Sequence, residues 1–247
     1  MATMRELKRR INSVQSSQKI TAAMKMISSA RMRKAEIALN RTLPYEEQLQ
    51  SILAHVNEKD CDYESPLRKI RPVRQVALIC LGSDEGMCGA FNINLYKELL
   101  GTIREYASQG IQHPEVYPIG KKMVGYVKRM QNIDYKKSTD LFIEKKYPEA
   151  VKALTDELIA RFLRGDVDKV EVIYTHYKSR GTQIVTRLQL LPLLGRKQEE
   201  QSGPDRPNLP KVYIYEPDCR EIFEILYPLI IRTMFYKTFL ENQTSEQ

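Results

Sequence analysis

The chain has 247 residues, 42% hydrophobic and 28% charged. That is enough for one ordinary domain and something beside it, and it excludes a disordered, collagen-like or disulfide-scaffolded protein. The net charge is +8, and all of the excess lies in residues 1–35, where nine Lys or Arg face a single acid, Glu6. Such a segment asks for an acidic partner: nucleic acid, anionic lipid or acidic protein loops.

Residues 4 to about 57 read as one helix. They hold no glycine and one proline, Pro44, and Ala, Met, Lys, Arg, Gln and Glu dominate. Pro44 is expected to kink the helix or end its first part. A helix of that span is about 80 Å long at 1.5 Å per residue, more than a small domain can cover. Its apolar stripe shifts phase. Met4, Leu7, Ile11 and Val14 keep one face, and Ile20, Met24 and Ile27 keep nearly the opposite one. The packing partner is therefore expected to change along the helix, since a uniform coiled coil holds its phase. Small residues from Ala22 to Ala30 keep the rod thin there.

Residues 72 to about 195 have an α/β texture. Val76–Leu81 is a continuous apolar run, as a strand buried on both faces requires. A helix carrying Phe91, Leu95, Leu99 and Ile103 follows, then a strand over Val116–Ile119, a helix over Gly120–Met130 and a short strand over Ile133–Lys136. Pro148–Leu163 reads as a helix with proline in its first turn. Val170–His176 and Thr182–Leu191 read as an antiparallel hairpin closing an otherwise parallel sheet. Residues 196–210 are polar and proline-rich and read as a mobile loop. Ile222, Leu226, Leu229, Thr233, Tyr236 and Leu240 keep a heptad-like spacing over 218–247, a second helix able to pair with the first.

Little here reads as chemistry. Cys61, Cys80, Cys88 and Cys219 form no CxxC pair and have no histidine at metal-ligand spacing, which fits a reducing compartment with no metal site. No apolar run approaches the roughly 20 residues of a membrane span. Gly82–Gly89 lies between a strand and a helix, where a doubly wound fold places phosphate, but matches neither glycine-rich nucleotide motif. Asp84 and Glu85 would also repel a phosphate there. Cys88 near a helix N-terminus lacks a recognisable base. His176 reads as a structural strand residue, and His55 and His113 as surface. Two competing readings are a basic arm on a nucleic-acid-binding domain and a small α/β transferase. The first lacks stacking aromatics in residues 1–44.

Residues 5–34, RELKRRINSVQSSQKITAAMKMISSARMRK, resemble the opening helix of F-type ATP synthase gamma subunits nearly position for position. Ser83–Asn92, Tyr215–Asp218 and Ser245–Glu246 resemble further family motifs. The resemblance implies two terminal helices forming an antiparallel coiled coil (1–57 and 218–247) flanking an inserted Rossmann-like α/β domain (72–195). It implies a non-catalytic shaft without cofactors, at the centre of a ring of alpha and beta subunits. Its other partners would be epsilon and the c-ring, not nucleic acid. The chain would be peripheral to the membrane, on the cytoplasmic face in a bacterium or the matrix or stromal side in an organelle. By the same resemblance Met24, Lys25, Arg31 and Arg33 lie near acidic loops of beta, and Tyr213 and Glu216 near the c-ring. Glu85 stands where many family members carry a basic residue. The chain also stops at Gln247, where the family's last helix runs on, so residues 12–35 are expected to fray or find a substitute contact.

Overall fold

The computed structural model describes residues 3–55, 63–131, 133–137, 142, 146–194 and 218–247. Helix α1 runs unbroken over Met4–His55 with Pro44 inside it, so the proline does not end the helix. A capping box starts it: Thr3 Oγ1 accepts from the Glu6 N–H at 3.4 Å, and Glu6 accepts from the Thr3 N–H at 2.9 Å. Ser16 and Thr21 return their hydroxyls to carbonyls four residues back, at 2.9 Å each. These polar side chains are thus satisfied without tertiary partners.

The sheet holds five strands among the described residues: β1 (Val76–Leu81), β2 (Glu115–Ile119), β3 (Asp134–Tyr135), β4 (Lys169–Ser179) and β5 (Thr182–Leu191), ordered β3-β2-β1-β4-β5. β3, β2, β1 and β4 are parallel; β5 pairs antiparallel with β4. The VALICL run is the central strand β1, buried at every position because helices cover both faces. Helices α2 (Phe91–Ser108) and α3 (Lys121–Val127) cover one face through Leu95, Leu99, Met123 and Val127. α3 is shorter than the expected Gly120–Met130, and β3 is limited to two residues.

Helices α4 (Tyr147–Arg164) and α5 (Cys219–Glu246) cover the other face. α4 starts on Pro148 and stops at Gly165, whose φ of 86° is the left-handed conformation that lets the Gly165 and Asp166 amides reach back to Phe162 and Arg161. The structure extends the reading of α5. Its heptad-like stripe is one of two faces, and Phe223, Tyr227, Ile231 and Phe235 join the sheet core. α5 therefore lies between the sheet and α1. The two terminal helices run antiparallel: Lys237 pairs with Glu46 at 2.6 Å, while the end of α5 meets the Glu85 loop that Arg31 also touches. On α1 the stripe Met32, Ala35, Leu39, Glu46 and Leu49 turns inward, spaced at threes, fours and sevens.

Candidate partner-facing helix and a filled crevice

Every described residue from Thr3 to Ile27 is exposed. The rod therefore presents both phases of its apolar stripe and its basic residues to solvent. Met24 is 43% and Ile27 55% exposed. Lys25 and Arg33 are exposed, and Arg31 keeps half its side chain in solvent while pairing with Glu85 at 2.7 Å. Met24, Lys25, Arg31 and Arg33 thus lie on neighbouring turns near the point where the rod leaves the body, with Met24 and Arg33 on opposite sides of the helix. Tyr213, Glu216 and the loop 196–210 lie outside the described residues, so the expectations placed on them stand apart from this geometry.

The Gly82–Gly89 turn is occupied by the protein itself. The Ser83 N–H donates to Asn92 Oδ1 at 3.0 Å, and Asn92 Nδ2 donates to Ser83 Oγ at 2.7 Å and Cys88 Sγ at 3.1 Å. Asp84 accepts the Lys121 N–H at 3.0 Å, so a carboxylate sits at the α3 N-terminus in the place a phosphate would take. The turn also abuts the β2–α3 connection: the Gly82 N–H donates to the Ile119 carbonyl at 2.7 Å, and the Lys122 N–H to the Ser83 carbonyl at 3.0 Å. A Cβ on Gly82 would stand 2.6 Å from Met123 Cβ. Gly82 therefore serves close packing against the β2–α3 connection, while Gly89 is kept by its positive φ of 57°. Gly82→Ala is expected to cost about 1–3 kcal/mol by overpacking, measured by urea unfolding.

In a doubly wound sheet the ligand crevice opens where the strand order reverses, here between the C-terminal ends of β1 and β4. The end of α5 fills it. Asn242 Oδ1 accepts the Thr175 N–H at 3.0 Å, and Ser245 Oγ donates to the Thr175 carbonyl at 3.2 Å. His176 Nδ1 and Glu241 Oε2 lie 2.6 Å apart, which gives the strand histidine its structural partner. Glu246 takes a hydrogen bond from the Glu85 backbone. The residual cavity beside Gly82, Gly120, Tyr147 and Glu246 holds about 40 Å³, far below the few hundred that a nucleotide-sized ligand needs. Burial of Glu246, with the charges of Asp84 and Glu85 next in weight, pushes its carboxyl up to about 7. Burial alone pushes the Cys80 thiol far above its ordinary range. Cys88 has Asn92 and Ser83 as its hydrogen-bond partners, and no histidine stands among them.

The sequence reading missed Glu36 and Asn242, and took Glu246 only as part of a family motif. Glu36 is the first acid after the basic segment, and Glu241, Asn242 and Thr244 are polar residues buried in an otherwise apolar helix. Such interruptions are the signals that could have pointed to them.

A Rossmann-like body whose ligand crevice is filled by its own helix carries a long exposed basic rod, a shaft-like arrangement. A family model described as "ATP synthase" matches residues 3–247. The ATP synthase gamma chain of Bacteroides thetaiotaomicron is 38% identical over all of this chain and 84% of its own length. Those of Phocaeicola vulgatus and Leptospira biflexa are 37% and 35% identical, over 84% and 83% of their lengths. The chain belongs to the ATP synthase gamma chain family. The fold is also that of the central stalk in the Tetrahymena thermophila mitochondrial ATP synthase central stalk/c-ring structure, at TM-score 0.61 and 17% identity over 92% of this chain and 94% of that one. The Euglena gracilis mitochondrial rotor matches at TM-score 0.53 and 16% identity over 98% and 86%. Among the described residues no helix is long and apolar enough to cross a membrane.

Proposed function

We propose that this chain is the central rotary shaft of an ATP synthase. It couples rotation of an ion-driven c-ring to ATP synthesis or hydrolysis in a ring of alpha and beta subunits, and it performs no chemistry itself. In this reading α1 and α5 form the axle and the α/β body over 72–195 lies beneath it. Epsilon and the c-ring meet the lower end, where Tyr213 and Glu216 would face the c-ring. The chain is then a peripheral protein on the cytoplasmic face of a bacterial inner membrane, held there by its complex.

The observation that carries the reading is the rod. Residues 3–27 are helical, exposed throughout and strongly basic. A shaft inside a threefold ring meets three copies of its partner and cannot match them equally, so it holds them in different states. Rotation breaks those contacts repeatedly, which favours short side chains and screened charges over deep apolar anchors. Met24, Lys25, Arg31 and Arg33 are the residues that would face acidic loops of the ring.

Co-expression with alpha and beta subunits tests this. The expected result is co-purification with ATP hydrolysis by the assembly, and ATP-driven proton pumping once membrane subunits are added. Lys25→Glu with Arg33→Glu is expected to lower pumping about tenfold, while the melting temperature of the chain stays put. A chain that stays out of the assembly, or a reversed-charge variant that pumps as well as the wild type, overturns the assignment of these residues.

A further inference from the structure

α1 rests on α5 along a single stripe where it leaves the body. A helix packed on one stripe is seated by ridges in grooves, and contacts placed off that stripe on both sides oppose its rotation about its own axis. Two side chains flank that stripe. Arg31 and Glu36 are five residues apart, so they project about 140° apart around the helix, one on each side of Met32, Ala35 and Leu39. Different loops of the body hold them. Arg31 Nη1 pairs with Glu85 Oε2 at 2.7 Å, from the β1–α2 turn. Glu36 is gripped by the tip of the β4–β5 hairpin. Its Oε1 accepts the Tyr177 hydroxyl at 2.5 Å and Arg180 Nε at 3.1 Å, and its Oε2 accepts Arg180 Nη2 at 3.0 Å. That is the two-pronged guanidinium–carboxylate geometry, the most directional ion pair available to side chains. The Glu36 carboxyl is held below its ordinary range by these bonds, Arg180 first and Tyr177 second.

The hairpin is built to reach this point. β4 is buried from Val170 to Thr175, then continues through Tyr177 to Ser179 with falling burial. The extra residues carry Tyr177 and Arg180 out to α1. N-terminal to Ser28 every described residue of the rod is exposed.

We propose that Glu36 and Glu85 anchor a two-sided clamp that stops α1 rolling on α5 where the rod leaves the body, and so fixes the azimuth of the rod to the α/β body. The inference deepens the rotary-shaft reading and its mechanical part rests on it: torque enters at the body and leaves through the rod, and slack at their junction would be lost angle. The Arg31–Glu85 pair is exposed enough to add little to folding, and in the other pair Arg180 is exposed while Glu36 keeps 18% of its side chain in solvent. The clamp therefore acts on orientation, and its loss reads out there.

The test compares wild type, Glu36→Ala/Glu85→Ala, and the swapped pair Glu36→Arg/Arg180→Glu. On the full chain, spin labels at positions 17 and 97, in a background with the native cysteines replaced, report the distance distribution between rod and body. The double alanine variant is expected to widen it about twofold with the melting temperature moved by no more than about 2 °C, and the swapped pair to restore most of the width. In the assembled complex, a bead on the body is expected to show angular fluctuations at least about half again as wide during each dwell. An unchanged label distribution overturns the clamp. A widened label distribution with unchanged bead fluctuations overturns its part in torque transmission. A wild-type chain that joins no rotary assembly counts against the rotary reading, and the label experiment still decides the clamp.

Discussion

Phe235→Ala is expected to destabilise the body by about 3–5 kcal/mol, the cost of a large ring removed from a site that cannot collapse. Phe235 is fully buried, in the face of α5 that completes the sheet core with Phe223, Tyr227 and Ile231. The loss reaches several layers at once, because α5 contacts β4 and α4 on one side and α1 on the other. The control is Ile20→Ala on the rod. Ile20 is 63% exposed, and its truncation is expected to change stability by no more than about 0.5 kcal/mol. Urea unfolding of both variants checks the contrast. Equal losses would mean that the rod is packed against something in the free chain, and that α5 is less central to the core than its burial indicates.

The second large effect is a pH dependence centred on Glu246. Its carboxyl is raised to about 7 by burial first and by the Asp84 and Glu85 charges next, against an ordinary value of 4.5. A raised acid favours the folded state only while it is protonated. Below about 4.5 the group is protonated in both states and imposes no penalty. As pH climbs from there to 7, the unfolded chain ionises freely and the folded chain does not, so stability is lost across that window and stays lost above it. The shift corresponds to a loss of at most about 3 kcal/mol, at 1.36 kcal/mol per pKa unit. Glu246→Gln keeps an acceptor for the Glu85 N–H and removes the charge. The variant is therefore expected to match the wild type near pH 4 and to exceed it in stability at pH 8. Urea unfolding at the two pH values measures the difference. A constant gap between variant and wild type across the range would show that Glu246 is not held away from water.

Much of the fold was legible because its signals are local. The glycine-free run of helix formers announced α1, and the run VALICL announced a strand covered on both sides. Alternation on either side of Ser179-Arg180-Gly181 marked the hairpin, and its antiparallel place beside a parallel sheet followed. Pro44 left two outcomes open, a kink or a stop, and the continuation of α1 to His55 removes the stop. A proline costs a helix one hydrogen bond and a steric clash. α1 carries that cost while its flanking turns rest on α5. The limits of α3 and β3 were drawn too wide because propensity fades at the ends of elements while hydrogen bonding decides them.

The functional reading was legible in a different way. The one-sided charge of residues 1–35 and the motif-bearing stretch 5–34 are properties of contiguous residues, and the family match over residues 3–247 agrees with them. The glycine turn was ambiguous on its own. Asn92, which occupies it, is close in sequence to Ser83 and Cys88, but the contact between Asp84 and Lys121 depends on β1 and β2 lying side by side.

By itself, then, the sequence determined the elements, the basic rod and the family, because backbone propensity, hydrophobic period and charge placement act over a few neighbouring residues. Only the tertiary structure decided that α5 is buried on two faces, that its end closes the crevice of the Rossmann-like body, and that Glu36 is held by Tyr177 and Arg180, 141 and 144 residues away. The reason is physical. A heptad stripe states that one helical face seeks cover, but which surfaces supply that cover, and which buried charges they bring together, is settled only when distant segments compete for the same space.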